Sequence, residues 1–102
     1  MTPRFLLSPE AESDLDDIKR QVLDEGGPRI ALYVMRSLLK GIRLLARHPG
    51  LGHLREDLTD LPLRFWPVLS YLIIYDREHR PIEIVGVVHG ARNMERILPG
   101  RT

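Results

Sequence analysis

A histidine and three arginines in the second half of the chain have the side-chain chemistry to handle a phosphodiester. Histidine acts as an acid or a base near neutral pH, and arginine binds two phosphate oxygens with its planar guanidinium group. Cleavage of RNA through its 2′-hydroxyl group needs a proton donor, a proton acceptor and cations on the phosphate. We therefore take His89, Arg64 and Arg55 as the candidate catalytic residues if the protein cleaves RNA, with Arg92 as a weaker phosphate ligand.

Each of these side chains also has a structural interpretation. His89 can cap the strand that precedes it, Arg64 can stack on a neighbouring aromatic ring, and Arg55 can bond to loop carbonyl groups. Glu56 and Asp57 directly follow Arg55. Their charge opposes a bound phosphate, unless Glu56 serves as the base.

The histidines and cysteines do not form a metal-binding pattern. The chain contains no cysteine, which excludes disulfides, thiolate metal ligands and a cysteine nucleophile. His53 and His79 have no second ligand at a suitable spacing, and the chain lacks a glycine-rich phosphate loop. We expect neither a metal nor a cofactor.

Three strand-like runs, at about 63–68, 71–76 and 81–89, precede or carry the candidate residues. The short link Leu69-Ser70 and a polar turn at 76–80 predict an antiparallel meander, with the apolar run 71–75 at its centre. Phe65 and Trp66 alternate, so one enters the core, and we take Trp66 and Arg92 as candidate binding residues. Alternation in the last run predicts one face formed by Ile82, Ile84, Gly86 and Val88 and another formed by Glu83, Val85, Val87 and His89.

Two amphipathic helices precede the meander. After a short strand at 4–7, Ser8 is a helix N-cap with Pro9 in the first turn, and Gly26-Gly27 ends this helix. Pro28 begins the second helix, which ends at 48–50. The predicted core stripes are Ala11, Leu15, Ile18 and Val22 in the first helix, and Ala31, Val34, Leu38, Ile42 and Leu45 in the second, widened by Met35, Leu39 and Ala46.

This order predicts an α+β fold with the pattern β-α-α-β-β-β, in one domain that spans residues 1–102. An N-terminal strand and a C-terminal antiparallel meander form one small, four-stranded sheet, and the helical hairpin covers one face. Residues 48–62 form a long loop. The other face of the sheet remains partly open, as a docking surface for another chain.

Charge is distributed unevenly along the chain. Residues 1–25 hold seven acids and three bases, whereas residues 26–102 hold twelve bases and seven acids, and the net charge is +1. The second helix carries a basic stripe of Arg29, Arg36, Lys40, Arg43 and Arg47, for which a solvated face is the simpler interpretation. We see no secretory signal and no membrane span, and we predict a soluble, cytoplasmic protein.

In the order and spacing of its features the chain resembles the RelE/ParE superfamily of type II toxin–antitoxin toxins. The resemblance runs nearly from end to end. It rests on the Ala11…Asp14-Leu15…Ile18 helix, the His48-Pro49…Gly52…Arg55 loop, Leu63-Arg64, Tyr71-Leu72-Ile73-Ile74-Tyr75 and Val87-Val88-His89-Gly90-Ala91-Arg92-Asn93. The Pro49-x-x-Gly52-x-x-Arg55 loop and the 71–75 strand resemble the ParE branch more than the RelE branch.

The resemblance implies a bacterial toxin held inactive by a cognate antitoxin, which wraps an extended or helical segment over it. It implies contact with operator DNA only through that antitoxin. ParE-like toxins inhibit DNA gyrase without catalytic chemistry, and this is our first expectation. The alternative is a RelE-like endoribonuclease that cleaves mRNA on the ribosome with His89, Arg64 and Arg55. A third possibility is an inactive toxin that retains only antitoxin binding.

Overall fold

The structure is a computed structural model that describes residues 4–90 of the 102-residue chain. The candidate binding residue Arg92 lies outside the described residues. Among residues 4–90, no helix is both long enough and apolar enough to cross a membrane.

Within residues 4–90, five strands form one sheet, and a helical segment covers one of its faces. The elements in chain order are β1 (Phe5–Leu7), α1 (Pro9–Arg47), β2 (His53–Leu54), β3 (Arg64–Val68), β4 (Tyr71–Asp76) and β5 (Ile82–His89). Across the sheet the order is β1-β5-β4-β3-β2. β1 runs parallel to β5, and all other neighbours are antiparallel. The predicted α+β class, the meander and the central position of β4 are confirmed.

The sheet has one strand more than predicted. β2 pairs with β3 through only two residues, His53 opposite Phe65 and Leu54 opposite Arg64. A strand this short shows no alternation of polar and apolar residues, so the sequence of the 48–62 loop does not reveal it.

The helical segment α1 is a hairpin, as predicted, and Gly27 forms its break. The side chain of Ser8 accepts a hydrogen bond from the Ala11 N–H at 3.0 Å, which caps the first turn. Gly27 has φ of 85°, a left-handed conformation that favours glycine. A straight helix of 39 residues would be about 58 Å long. The longest dimension of the molecule is 36 Å, so the two halves of α1 fold back on each other.

The main core lies between α1 and the sheet. Its buried members are Ala11, Ile18, Val34, Leu38, Ile42, Leu45, Ile73, Tyr75, Ile82, Ile84 and Val87. The helix comes very close to the sheet at Gly41, where an added Cβ would lie 2.7 Å from Cγ2 of Val68. Leu39 does not join this core: its side chain is 36% exposed, against the predicted stripe.

The opposite face of the sheet carries a smaller core of its own. Leu63, Phe65, Ile74 and Val88 are buried there, and Leu58 and Leu61 from the loop before β3 pack against them. This face is therefore less open than the sequence suggested, because the 48–62 loop folds back over part of it.

The predicted faces of β5 are wrong, because the strand contains a β-bulge. Ile74 pairs with Gly86 while Tyr75 pairs with Ile84, which leaves Val85 as the extra residue. Ile82 and Ile84 therefore share the helix-covered core with Val87, whereas Val85 packs with Val88 on the other side.

The start of α1 holds the bulge in place. Ser8 donates its N–H to the Ile84 carbonyl at 2.9 Å and its hydroxyl to the Val85 carbonyl at 3.2 Å. The Asp14 carboxylate accepts the Val87 N–H at 2.9 Å. Polar backbone groups freed by the bulge thus find partners in the helix, as buried polar groups require.

Candidate functional site

The loop after α1 is held against the sheet by the hydroxyl group of Tyr75. This hydroxyl donates to the Pro49 carbonyl at 2.6 Å and accepts the Gly52 N–H at 2.8 Å. An added Cβ on Gly52 would lie 2.5 Å from the same oxygen, so only glycine fits here. Part of the Pro49-x-x-Gly52-x-x-Arg55 pattern therefore has a structural cause: it fixes residues 49–52 on β4.

Arg64 contacts the same loop. Its Nη1 donates to the Gly52 carbonyl at 2.8 Å, and its backbone pairs with Tyr75 across β3 and β4. This is the carbonyl contact that the sequence suggested for Arg55. A phosphate at Arg64 would have to share the guanidinium group with the loop.

Arg55 forms a two-point ion pair with Asp57. Its Nε donates to Oδ1 at 2.9 Å and its Nη2 donates to Oδ2 at 2.8 Å. These hydrogen bonds are the main cause that raises the pKa of Arg55 and lowers the pKa of Asp57. A phosphate would therefore compete with Asp57 for the Arg55 fork.

His89 lies edge-on to Tyr71, with ring centroids 5.6 Å apart and planes at 76°. Burial, and then the charge of Glu25, raise the pKa of the Tyr71 hydroxyl. Both rings line an open depression of about 470 Å³ beside the turn between β3 and β4. We call it the hairpin depression; its lining is Arg55, Pro67, Leu69, Ser70, Tyr71, Leu72, His89 and Gly90.

The structure thus brings two of the three candidate catalytic residues to one place. His89 and Arg55 share the hairpin depression, whereas Arg64 is bonded to the loop behind it. Trp66, the candidate binding residue, is half-buried and stacks on His53 of β2 at 6.3 Å. Its neighbour Phe65 is the buried member of the pair, as one of the two had to be.

A second concave surface runs along the later half of α1, beside β3. Two adjoining hollows of about 790 and 380 Å³ form it and share Arg36, Ser37 and Lys40. We call this surface the helix groove. Its cations are Arg29, Arg36, Lys40, Arg43 and Arg47, and its apolar lining is Leu32, Tyr33, Leu39, Leu44, Pro67 and Val68.

The cations of the helix groove have no ion-pair partners in the described part of the chain. Residues 28–47 contain no Asp or Glu, and within residues 4–90 none of the five cations forms an ion pair. The sequence showed this stripe, but it did not show that exposed leucines and the edge of β3 turn it into a groove. Leu39 is the residue that could have indicated the groove. It is apolar, it lies beside the basic stripe, and the core does not bury it.

Within the described part of the chain, no group of three or more His, Cys, Asp or Glu side chains is placed to hold a metal ion. No buried polar side-chain atom lacks a hydrogen-bond partner there. Both concave surfaces are open and shallow, which suits contact with a macromolecule more than enclosure of a small substrate.

Comparison with known proteins agrees with this architecture. The model of the ParE toxin family, described as the ParE toxin of the type II toxin–antitoxin system parDE, matches residues 5–94. Toxin ParE1 of Caulobacter vibrioides is 33% identical over 89 residues, which cover 87% of this chain and 91% of that protein.

A solved structure has the same fold. A chain of the chromosomal ParDE toxin–antitoxin system from P. aeruginosa superposes with a TM-score of 0.71 at 18% identity, covering 86% of this chain and 96% of that one. With the family match over most of the sequence, these similarities assign the chain to the ParE family of toxins from type II toxin–antitoxin systems.

Proposed function

We propose that this ParE-type toxin inhibits DNA gyrase by binding to it, and that a cognate antitoxin neutralises it by binding to the helix groove. Binding is favoured over catalysis because the two candidate phosphate ligands already bond to groups of the protein itself. Arg64 is bonded to the Gly52 carbonyl and Arg55 to the Asp57 carboxylate. In the RNA-cleavage alternative, these two guanidinium groups are the ones that would contact the phosphate. A gyrase inhibitor acts in the cytoplasm, so the proposal includes that location.

A supercoiling assay with purified toxin, gyrase and relaxed plasmid tests the gyrase part of the proposal. We expect a dose-dependent loss of supercoiling that added antitoxin reverses. Full supercoiling over a wide excess of toxin would contradict it.

Charge and shape together favour the helix groove as the antitoxin site. Five cations, none of which forms an ion pair within residues 4–90, flank an apolar lining, so the groove suits an amphipathic segment with acidic and apolar side chains. Duplex DNA would gain from the cations but nothing from the exposed Leu32 and Leu39. This is consistent with a toxin that reaches operator DNA only through its antitoxin.

Charge reversal in the groove tests the antitoxin part. The double substitution Arg36→Glu and Lys40→Glu should weaken antitoxin binding by about a hundredfold, because two attractive contacts become repulsive. Lys19→Glu is the matched control: it reverses an exposed charge on the other half of α1 and should change affinity by no more than about threefold. Equal losses in both variants, measured by titration calorimetry, would place the antitoxin elsewhere.

One observation keeps an endoribonuclease as the second candidate: His89 and Arg55 line the same depression. Under this alternative, induced toxin cuts mRNA in the ribosomal A site, and His89→Ala and Arg64→Ala abolish cutting. Intact transcripts during growth arrest would rule it out. Normal growth on induction without antitoxin would instead indicate an inactive toxin that only binds its antitoxin. Trp66 and Arg92 remain proposed contacts for target or antitoxin under each reading.

A further inference from the structure

One turn of the sheet combines an unfavourable backbone conformation with an exposed apolar side chain. Leu69 and Ser70 alone connect β3 to β4, since Val68 pairs directly with Tyr71. Leu69 has φ of 54°, and it is the only residue other than glycine with positive φ among those described. Left-handed positions in two-residue hairpin turns favour glycine or asparagine. The backbone conformation at this position is therefore unfavourable for leucine.

The fold gains little from this leucine. Its side chain is 50% exposed and belongs to neither of the two cores. The turn is held by a backbone contact instead, in which the Gly90 N–H donates to the Ser70 carbonyl at 2.8 Å. A residue with an unfavourable backbone conformation and a half-exposed side chain, which joins neither core of residues 4–90, points to a contact outside the chain.

Leu69 lies on the rim of the hairpin depression, next to Pro67 and Leu72. Tyr71 and Arg55 line the same hollow, and both residue types are enriched where protein interfaces bind most tightly. The charge of Arg55 is already balanced by Asp57 at 2.8 Å. The depression therefore offers little attraction to a phosphate, and its surface complements an uncharged, apolar part of a protein.

We propose that Leu69 and the hairpin depression form the contact with the toxin's target protein, which places an apolar side chain against Leu69. The proposal rests on the proposed function in taking the target to be a protein, and goes beyond it by locating the contact. The antitoxin has a better match in the helix groove, whose five cations form no ion pair with any described residue. Pro67 lines both surfaces, so an antitoxin in the groove would lie directly beside the target contact.

Substitution of Leu69 separates this role from a structural one. Leu69→Asn removes the apolar group and suits the left-handed backbone, so the Tm should not fall while target inhibition weakens about tenfold or more. Leu69→Met keeps an apolar side chain and should retain inhibition within about threefold. Leu6→Asn is the matched control: Leu6 is 45% exposed on β1, at the other edge of the sheet, and its substitution should leave inhibition unchanged.

Three readouts decide the result: gyrase supercoiling, growth arrest on induction, and affinity for the antitoxin. Weaker inhibition and arrest by Leu69→Asn, with antitoxin affinity kept within about threefold, supports the proposal. Full potency of Leu69→Asn, a lowered Tm, or an equal loss of antitoxin affinity overturns it. If the unaltered toxin arrests growth without inhibiting gyrase and leaves transcripts intact, the gyrase proposal fails, and loss of arrest in Leu69→Asn still supports the contact. A toxin that cuts transcripts, or that neither arrests growth nor inhibits gyrase, overturns both.

Discussion

Gly52 lies so close to the Tyr75 hydroxyl group that any other residue would bring its Cβ into contact with that oxygen. The Tyr75 hydroxyl group bonds to both the Pro49 carbonyl and the Gly52 N–H, and Arg64 donates to the Gly52 carbonyl. These contacts connect the end of α1 to two strands. Gly50, two residues earlier, has open space around it.

We expect Gly52→Ala to destabilise the fold by about 2–3 kcal/mol, because the added methyl group displaces the Tyr75 hydroxyl and breaks its hydrogen bonds. Gly50→Ala is the control and should change the free energy of unfolding by less than about 0.5 kcal/mol. Urea denaturation of both variants provides the measurement. Similar values for the two would mean that the loop adapts and that the Tyr75 contact is weak.

The ionisation of Tyr75 should affect stability only at alkaline pH. Burial raises the pKa of its hydroxyl above the ordinary value of 10.0. The neutral form is thus favoured in the folded state. Its contribution is complete below the unfolded pKa of about 10 and is lost as the pH rises through the folded value. The difference in the free energy of unfolding between the native chain and Tyr75→Phe should therefore shrink above pH 10. A constant difference between pH 8 and pH 11 would contradict this.

The residues of the site were only partly predictable. His89, Arg55 and Arg64 are visible as candidates because their side-chain chemistry is intrinsic to the residue type. Their partners are not visible: Arg55 bonds to Asp57, two residues away, whereas Arg64 bonds to the Gly52 carbonyl, twelve residues away. A sequence shows which groups are able to bind phosphate, but not which of them the folded chain already uses.

At the scale of elements, the close contact between α1 and β3 depends on Gly41. The later half of α1 packs there directly onto Val68, with no room for a side chain. Glycine in a helix normally costs about 1 kcal/mol relative to alanine. Replacing Gly41 by alanine therefore has two opposing effects on stability: it improves helix propensity, and it creates an overlap with Val68. A substitution at Val68 can separate them.

Gly41→Ala should destabilise the native chain by about 1–2 kcal/mol, because the overlap with Val68 exceeds the gain in helix propensity. In a Val68→Ala background the overlap with Val68 is removed, and the closest remaining neighbour is the flexible end of Ile73, whose Cδ1 lies 3.2 Å from the added Cβ. There the same substitution should be neutral or stabilising by up to about 1 kcal/mol. A double-mutant cycle measured by thermal unfolding checks this change of sign. An equal effect in both backgrounds would show that the helix shifts freely on the sheet.

Element types and order followed from the sequence because apolar periodicity and the Gly and Pro positions are local signals. The hairpin at Gly27 and the meander are examples. The bulge at Val85 was missed, because Ser8 and Asp14, which compensate it, are more than seventy residues away. β2 was missed because two residues cannot display a period. The parallel pairing of β1 with β5 likewise depends on contacts that no short window contains.

At the scale of the whole molecule, the two halves of α1 carry opposite charge. Residues 8–26 contain seven acids and two bases, whereas residues 28–47 contain five bases and no acid. Exposed leucines accompany both halves, among them Leu23, Leu32 and Leu39. Such a surface can attract a second copy of itself whenever no antitoxin covers the basic half.

Free toxin at low ionic strength should therefore elute from gel filtration ahead of a monomer standard, and should shift towards the monomer position as salt is raised. Salt screens the attraction between the acidic and basic halves over about 10 Å at 0.1 M. The Arg36→Glu and Lys40→Glu variant should elute as a monomer at every salt concentration. A native chain that is monomeric at low salt would show that the charge separation is too weak to cause association.

The position of β5 between β1 and β4 also determines at what stage of its synthesis this protein can fold. Among the strands of residues 4–90, β1 has no neighbour other than β5, and Ser8 bonds to a residue 77 positions later. A chain still emerging from the ribosome thus keeps its first strand unpaired until almost the last described residue has been made. We expect the surfaces for target and antitoxin to form together, and only after β5 has been made, so that the toxin is able to bind neither partner before that point.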